Sequence, residues 1–237
     1  MVVTFQVINA NPPRQGPWEG NPPCPRRYTL ISRDRDLSKT FSTIALMNAI
    51  PPNTLLRMAL LFYMPMLTGV FILKPPGVLQ VEDRMALSAW LAVALVIGMA
   101  VVGFSRWVGR HTRWGSRLRR EFRSLLGPLD ARHILWLAVI SSVGEEILFR
   151  GVLQPRIGLW WSAALFGIMH FPYKTRMLPW TLFAGVLGVV LAWLTELSGS
   201  LWPAILLHFF INHYNLRDIM AEDLGKDTQF KEGPPLE

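Results

Sequence analysis

Three short patterns in the C-terminal half of this chain set two carboxylates, a guanidinium, two imidazoles and an amide into apolar stretches. They are Glu145-Glu146-x-x-x-Arg150, Phe166-x-x-x-His170 and His208-x-x-x-Asn212. Ionisable groups are costly in hydrocarbon, and several of them in such stretches point first to a site. The chemistry open to this set is activation of water. A carboxylate drawn out of water is a stronger base, and beside an imidazole it can take a proton from water near neutral pH. A second imidazole and a carboxamide are donors suited to the oxyanion that forms when an amide carbonyl is attacked. The set therefore reads as a hydrolase for peptide bonds that forms no covalent intermediate. Ser141 and Ser142 lie one turn before Glu145 but lack the setting of a nucleophilic serine, and there is no His-Glu-x-x-His.

Helical spacing assigns these residues to faces. Glu146 and Arg150 stand four apart and can pair, whereas Glu145 is turned about 100° away. One glutamate is thus neutralised within its own helix and the other points elsewhere. His208 and Asn212 share a face by the same spacing. His170 ends an apolar run in which Ala163 and Gly167 leave room for close helix contact. The blander readings are charges at a helix end for the glutamates and polar groups packed between helices for His170, His208 and Asn212. His111 and His133, in or beside a basic stretch, and His213, on another face, are set aside. Depth favours a shared site. Glu145 and His170 lie at matched distances, about 18 to 20 Å, on either side of a turn near Ile157-Gly158. His208 and Asn212 lie about 14 to 20 Å beyond a turn at Gly199. An even number of crossings separates the two turns, so all four groups fall at one level.

The elements that must position them are membrane helices. Of 237 residues 51% are hydrophobic and only 17% charged, below the roughly 25% of soluble domains, and the mean hydropathy is +0.29. The net charge of +8 could suggest nucleic acid, but the basic residues lie between apolar spans, where membrane topology explains them better. No nucleic-acid partner is expected; the lipid bilayer is. The single cysteine, Cys24, excludes an internal disulfide and a cysteine metal site. Neither a cleavable signal at Met1–Ile8 nor a C-terminal lipidation box is evident.

The expected fold is all-α, a polytopic membrane bundle of about six transmembrane helices. Residues 1–40 form a tail, with six prolines between residues 9 and 27 followed by a basic run. Residues 41–130 hold two spans, Leu55–Leu73 (with Pro65 expected to kink it) and Met85–Phe104, with Phe41–Ile50 as an interfacial extra. They end in a basic loop, Arg106–Arg123, with seven arginines that place it in the cytoplasm together with the N-terminus. Residues 131–216 carry four further helices, near Arg132–Gln154, Gly158–Phe171, Trp180–Leu197 and Leu201–Leu216, and a polar tail, 217–237, follows. No internal repeat is evident.

The three patterns, in this order on successive membrane helices, resemble the CPBP family. That family comprises the CAAX prenyl endopeptidases of the Ras-converting type and bacterial relatives that include bacteriocin-processing and self-immunity proteins. The resemblance covers about residues 131–216 with all three patterns intact. It implies an intramembrane, glutamate-dependent endopeptidase in which Glu145 and His170 activate the water and His208 and Asn212 form the oxyanion site. Glu146, Arg150 and Phe166 would support them. It implies a substrate that is a membrane-associated protein or peptide, no cofactor, and a multi-pass location in a bacterial plasma membrane. A zinc-dependent version is the nearest rival, with Glu145, His170 and His208 as a two-histidine, one-glutamate ligand set, although the usual ligand spacings are missing and Asn212 is left without a role. A non-catalytic immunity or scaffold protein of the same fold is a second alternative. A proton-coupled transporter is a third, weakened by the missing inverted repeat.

Overall fold

The computed structural model describes residues 51–73, 84–171 and 175–221. The tail 1–40, the Phe41–Ile50 helix and residues 222–237 of the polar C-terminus lie outside them. Among the described residues the fold is all-α, without a strand. The helices are α1 Pro52–Leu73, α2 Arg84–His111, α3 Arg113–Leu126 and α4 Ala131–Glu146. A π-helical stretch, Ile147–Leu153, then leads into the short α5, Gln154–Ile157. After these come α6 Leu159–Met169, a 3₁₀ turn Thr175–Met177, α7 Leu178–Ser198 and α8 Trp202–Ala221.

The apolar runs form helices where expected, with three differences. The arginine-rich stretch is helical rather than a loop. Helix α2 continues to His111 and α3 restarts one residue later. Thr112 joins them, donating to the Val108 carbonyl at 2.7 Å and accepting from the Gly115 amide at 3.0 Å. In α3 the residues Trp114, Leu118 and Phe122 recur every four, so one face is apolar although arginines dominate the composition. The second difference is the π-helical stretch, which divides what the periodicity reads as one helix over Arg132–Gln154. The third is the far end of α8, which runs past Leu216 to Ala221. There Asp218 accepts from Arg106 Nε at 2.5 Å and Nη2 at 3.1 Å, tying α8 to α2. Arg119 of α3 donates to the Asp218 carbonyl at 3.4 Å. Helix α1 passes Pro65 without a break in its helical backbone.

Helix α8 is the centre, packing against α2, α3, α4 and α7, while α6 packs on α7 and α1 on α4. The core comes from several of these helices, with Phe149, Phe166, Leu187, Leu191, Leu207 and Ile211 buried together. Outward-facing apolar side chains surround it, among them Leu61, Trp161, Leu182, Val186 and Leu197. Water does not tolerate so much exposed apolar surface; lipid does. Among the described residues two helices are long and apolar enough to cross a bilayer: Ala86–His111, 26 residues, and Leu178–Ser198, 21 residues. In the first, only 17% of the apolar window is buried, which a soluble core helix would not show. The protein is a membrane protein. Helix α6, at 11 residues, is about 16 Å long and falls short of the roughly 30 Å hydrocarbon core.

The close contact expected at Ala163 and Gly167 is present. A Cβ on Gly167 would sit 3.0 Å from the Gly185 Cα of α7, and one on Gly188 would sit 3.2 Å from the Ala163 carbonyl oxygen. Gly167→Leu should therefore force α6 from α7 and destabilise the fold by about 1–3 kcal/mol. It should show as a lower thermal unfolding midpoint in detergent, whereas Gly103→Ala, with nothing within 4 Å of the added carbon, should not.

Candidate active site

The first motif helix, α4, begins at a side-chain cap: the Asp130 carboxylate accepts from the His133 amide at 2.9 Å. That amide holds the exposed Asp130 carboxyl below the usual carboxylate range. Sixteen residues of α4 then carry Glu145 and Glu146 to its far end, where both side chains are buried. The adjacent glutamates diverge as expected. Glu146 Oε1 accepts from Arg150 Nη1 at 3.1 Å, with both side chains fully buried. Arg150 Nη2 also donates to the Gly188 carbonyl of α7 at 2.8 Å. Its guanidinium lies over the Phe166 ring, 4.4 Å from the centroid.

Phe166 is thus the hub of the cluster. Its other neighbours are the two imidazoles, with ring centroids 4.4 Å away for His170 and 5.8 Å for His208. His170 is the residue on which α6 stops, and its Nδ1 lies 2.7 Å from the Phe166 carbonyl oxygen. A neutral His170 that donates there presents an unprotonated Nε2 to the other side. On that side stands Glu145, whose Oε2 is 3.5 Å from His170 Nε2 and 3.9 Å from His208 Nε2. His208 Nδ1 is 2.8 Å from Glu146 Oε1, so His208 stands between the two glutamates. When neutral and donating to Glu146, it offers Nε2 as an acceptor; as imidazolium it offers Nε2 as a donor.

Asn212, one turn beyond His208, donates its amide to Ser141 Oγ at 3.1 Å. One amide N–H is engaged there, and the group carries a second. All four residues expected to react, Glu145, His170, His208 and Asn212, line one cavity of about 330 Å³. Phe166 lines it too, and from there the cavity continues to Trp114, Phe122, Arg106 and Arg119 beside α3. Trp180 connects the two ends, its ring 5.0 Å from that of His170 and 5.1 Å from that of Phe122.

Two participants are not evident from the patterns. Ser141 holds Asn212, and its signal is its place one turn before Glu145, where it lies on the same face. Tyr63 of α1 donates its hydroxyl to Glu145 Oε1. A tyrosine in an apolar run gives no comparable signal. The three histidines set aside stay apart from this cluster: His133 contacts Asp130 and Asn53, His111 the Trp107 carbonyl, and His213 stacks on Phe209.

The motif helices match a known family. Residues 128–214 correspond to the family described as type II CAAX prenyl endopeptidase Rce1-like. Through this segment, a little over a third of the chain, the protein is similar to that family. It is also 26% identical over 150 residues to "Uncharacterized protein YpbD" of Bacillus subtilis (strain 168), across 62% of this chain and 76% of that protein. No solved structure matches. The Rce1-like segment spans α4 to α8 and leaves α1, with Tyr63, outside it.

The ion pair at the base of the site fixes how its loss should behave. Arg150→Ala would strand Glu146 as a buried charge, at a cost of about 3–5 kcal/mol. Folded protein recovered in detergent should fall sharply, and Glu146→Gln in the same chain should restore part of it.

Proposed function

We propose that this protein is an intramembrane endopeptidase that hydrolyses a peptide bond of a membrane-associated protein or peptide. Similarity of residues 128–214 to an Rce1-like family supports a protease. One observation supports the mechanism: the buried Glu145 Oε2 faces the Nε2 atoms of two histidines inside a single cavity. A carboxylate oxygen and an unprotonated imidazole nitrogen are both acceptors, and a water molecule between them supplies the two protons they need. Glu145, aided by His170, takes a proton from that water as its oxygen attacks the scissile carbonyl. The oxyanion is met by the second N–H of Asn212 and by His208 in its imidazolium form, whose Nδ1–H donates to Glu146. The proton held by Glu145 or His170 passes to the departing amide nitrogen, so carboxylate and amine products leave with no covalent enzyme intermediate.

The reading includes six membrane segments, α1, α2, α4 with α5, α6, α7 and α8, with the N-terminus in the cytoplasm of a bacterial cell. Helix α3 then lies at the cytoplasmic surface. Its contacts support this. Arg106 at the end of α2, Trp180 at the start of α7 and Asp218 at the end of α8 all meet at α3, so those ends share one side. The cavity extends toward the same helix, which favours entry of substrate from that side.

No metal is required in this scheme. Among the described residues no group of three or more His, Cys, Asp or Glu is gathered to hold one. Purified protein should keep cleaving in the presence of a zinc chelator; loss of cleavage that returns with added zinc would favour the Glu145, His170, His208 ligand set instead.

Glu145→Gln and His170→Ala should abolish cleavage, and Asn212→Ala should lower kcat by on the order of 10². Comparison of membrane proteomes from cells with the wild-type chain and with Glu145→Gln tests this for any substrate, whatever its sequence. At least one membrane-associated polypeptide should remain uncut in the variant. Identical proteomes at equal protein levels would leave a non-catalytic protein of the same fold as the better account.

A further inference from the structure

Most of the described side chains of helix α1 are not buried, with Leu60, Leu61, Phe62 and Met64 exposed. Of its described side chains only Ala59 and Tyr63, one turn apart, are buried, and they form the face that packs on α4. Tyr63 is 2% exposed. A phenol buried to that extent costs free energy unless its hydroxyl has a hydrogen-bond partner. The partner is Glu145 Oε1, 82 positions along the chain. The ring reaches the carboxylate by lying against Gly144, where any Cβ would collide with its edge. The residue immediately before Glu145 is therefore the space through which Tyr63 arrives.

The last torsion of a glutamate is broad, so a carboxylate with neither oxygen held would turn through many orientations. Holding Oε1 sets the plane and leaves Oε2 toward His170 Nε2 at 3.5 Å and His208 Nε2 at 3.9 Å. We infer that Tyr63 is a positioning residue for the hydrolysis: its hydroxyl keeps Glu145 in the orientation in which Oε2 meets the water, and Gly144 admits it. The inference rests on the hydrolytic reading above. It also makes α1 a functional part of the site, which the Rce1-like segment alone does not complete.

Two measurements on the purified full-length chain test it. Infrared difference spectroscopy reports the contact without any substrate. The band of the Glu145 carboxyl is identified by its loss in Glu145→Gln, and in Tyr63→Phe it should shift; an unshifted band overturns the inference. Turnover of the polypeptide that accumulates in Glu145→Gln membranes reports the role. Tyr63→Phe keeps the ring and its packing, so its unfolding midpoint should stay near wild type. Its kcat should nevertheless fall about ten- to a hundredfold with KM within about twofold, the mark of a displaced reacting group rather than of weaker substrate binding. Gly144→Ala, which pushes the ring away, should show the same loss in kcat. Wild-type kcat in Tyr63→Phe while Glu145→Gln is inactive overturns the positioning role and leaves the hydrolase standing. Full activity in Glu145→Gln instead removes the hydrolase reading itself.

Discussion

A guanidinium and a carboxylate buried side by side, Arg150 and Glu146, are the constraint around which this helical bundle closes. Neither charge can be left alone in a medium of low dielectric, and their mutual attraction offsets desolvation only when their remaining polar atoms also find partners. Those partners come from three other helices. Helix α7 supplies the Gly188 carbonyl, α6 the face of Phe166, and α8 the imidazole of His208. The pair is thus a point where α4 and its π-helical continuation, α6, α7 and α8 must all converge. The groups proposed to react take their places from it. Glu145 is next to Glu146, His170 is one turn beyond Phe166, and Asn212 is one turn beyond His208.

The π-helical stretch that begins at Ile147 belongs to the same constraint. A π turn widens the helix and is found often beside functional sites, because the regular ladder would aim its side chains differently. Here it carries Phe149, Arg150 and Gly151, all buried. The Phe149 carbonyl receives the Gln154 amide at the end of the stretch and also the Ser162 hydroxyl of α6 at 2.8 Å. The irregular segment is thus bound to the very helix that brings His170. Helix α3 performs a related task from outside. Its Phe122 leans on Trp180, which leans on His170, so a surface helix reaches the buried imidazole through one aromatic neighbour.

What can be read from the sequence depends on whether the signal is local. Glu146 with Arg150, and His208 with Asn212, announce themselves because polar residues four apart in an apolar run are both rare and geometrically paired. The common depth of Glu145, His170, His208 and Asn212 follows from counting residues to two turns, and these four line one cavity. Tyr63 cannot be found that way, since a tyrosine in a lipid-facing helix is ordinary in composition and its partner is 82 residues distant. Ser141 is visible one turn before Glu145, but only as a nucleophile that lacks its setting; its role in holding Asn212 requires α8 to be in place. The π-helical stretch leaves no mark in residue types, because π and α backbones differ by one hydrogen-bond step. In α3 five of the seven arginines of Arg106–Arg123 mask an apolar period that four-residue spacing does carry.

The two neighbouring glutamates show why burial alone does not make a base. Glu146 is matched by a guanidinium, a cation that does not surrender its proton under physiological conditions, so that contact can balance charge but cannot exchange protons. Glu145, about 100° round the helix, meets different chemistry. Two imidazoles face one of its oxygens and a phenol holds the other. Each of these groups can give or accept a proton or orient a water, and none fixes Glu145 in a permanent ion pair. In the proposed hydrolysis the single-residue step between them therefore separates charge balance from proton transfer, and His208 touches both carboxylates.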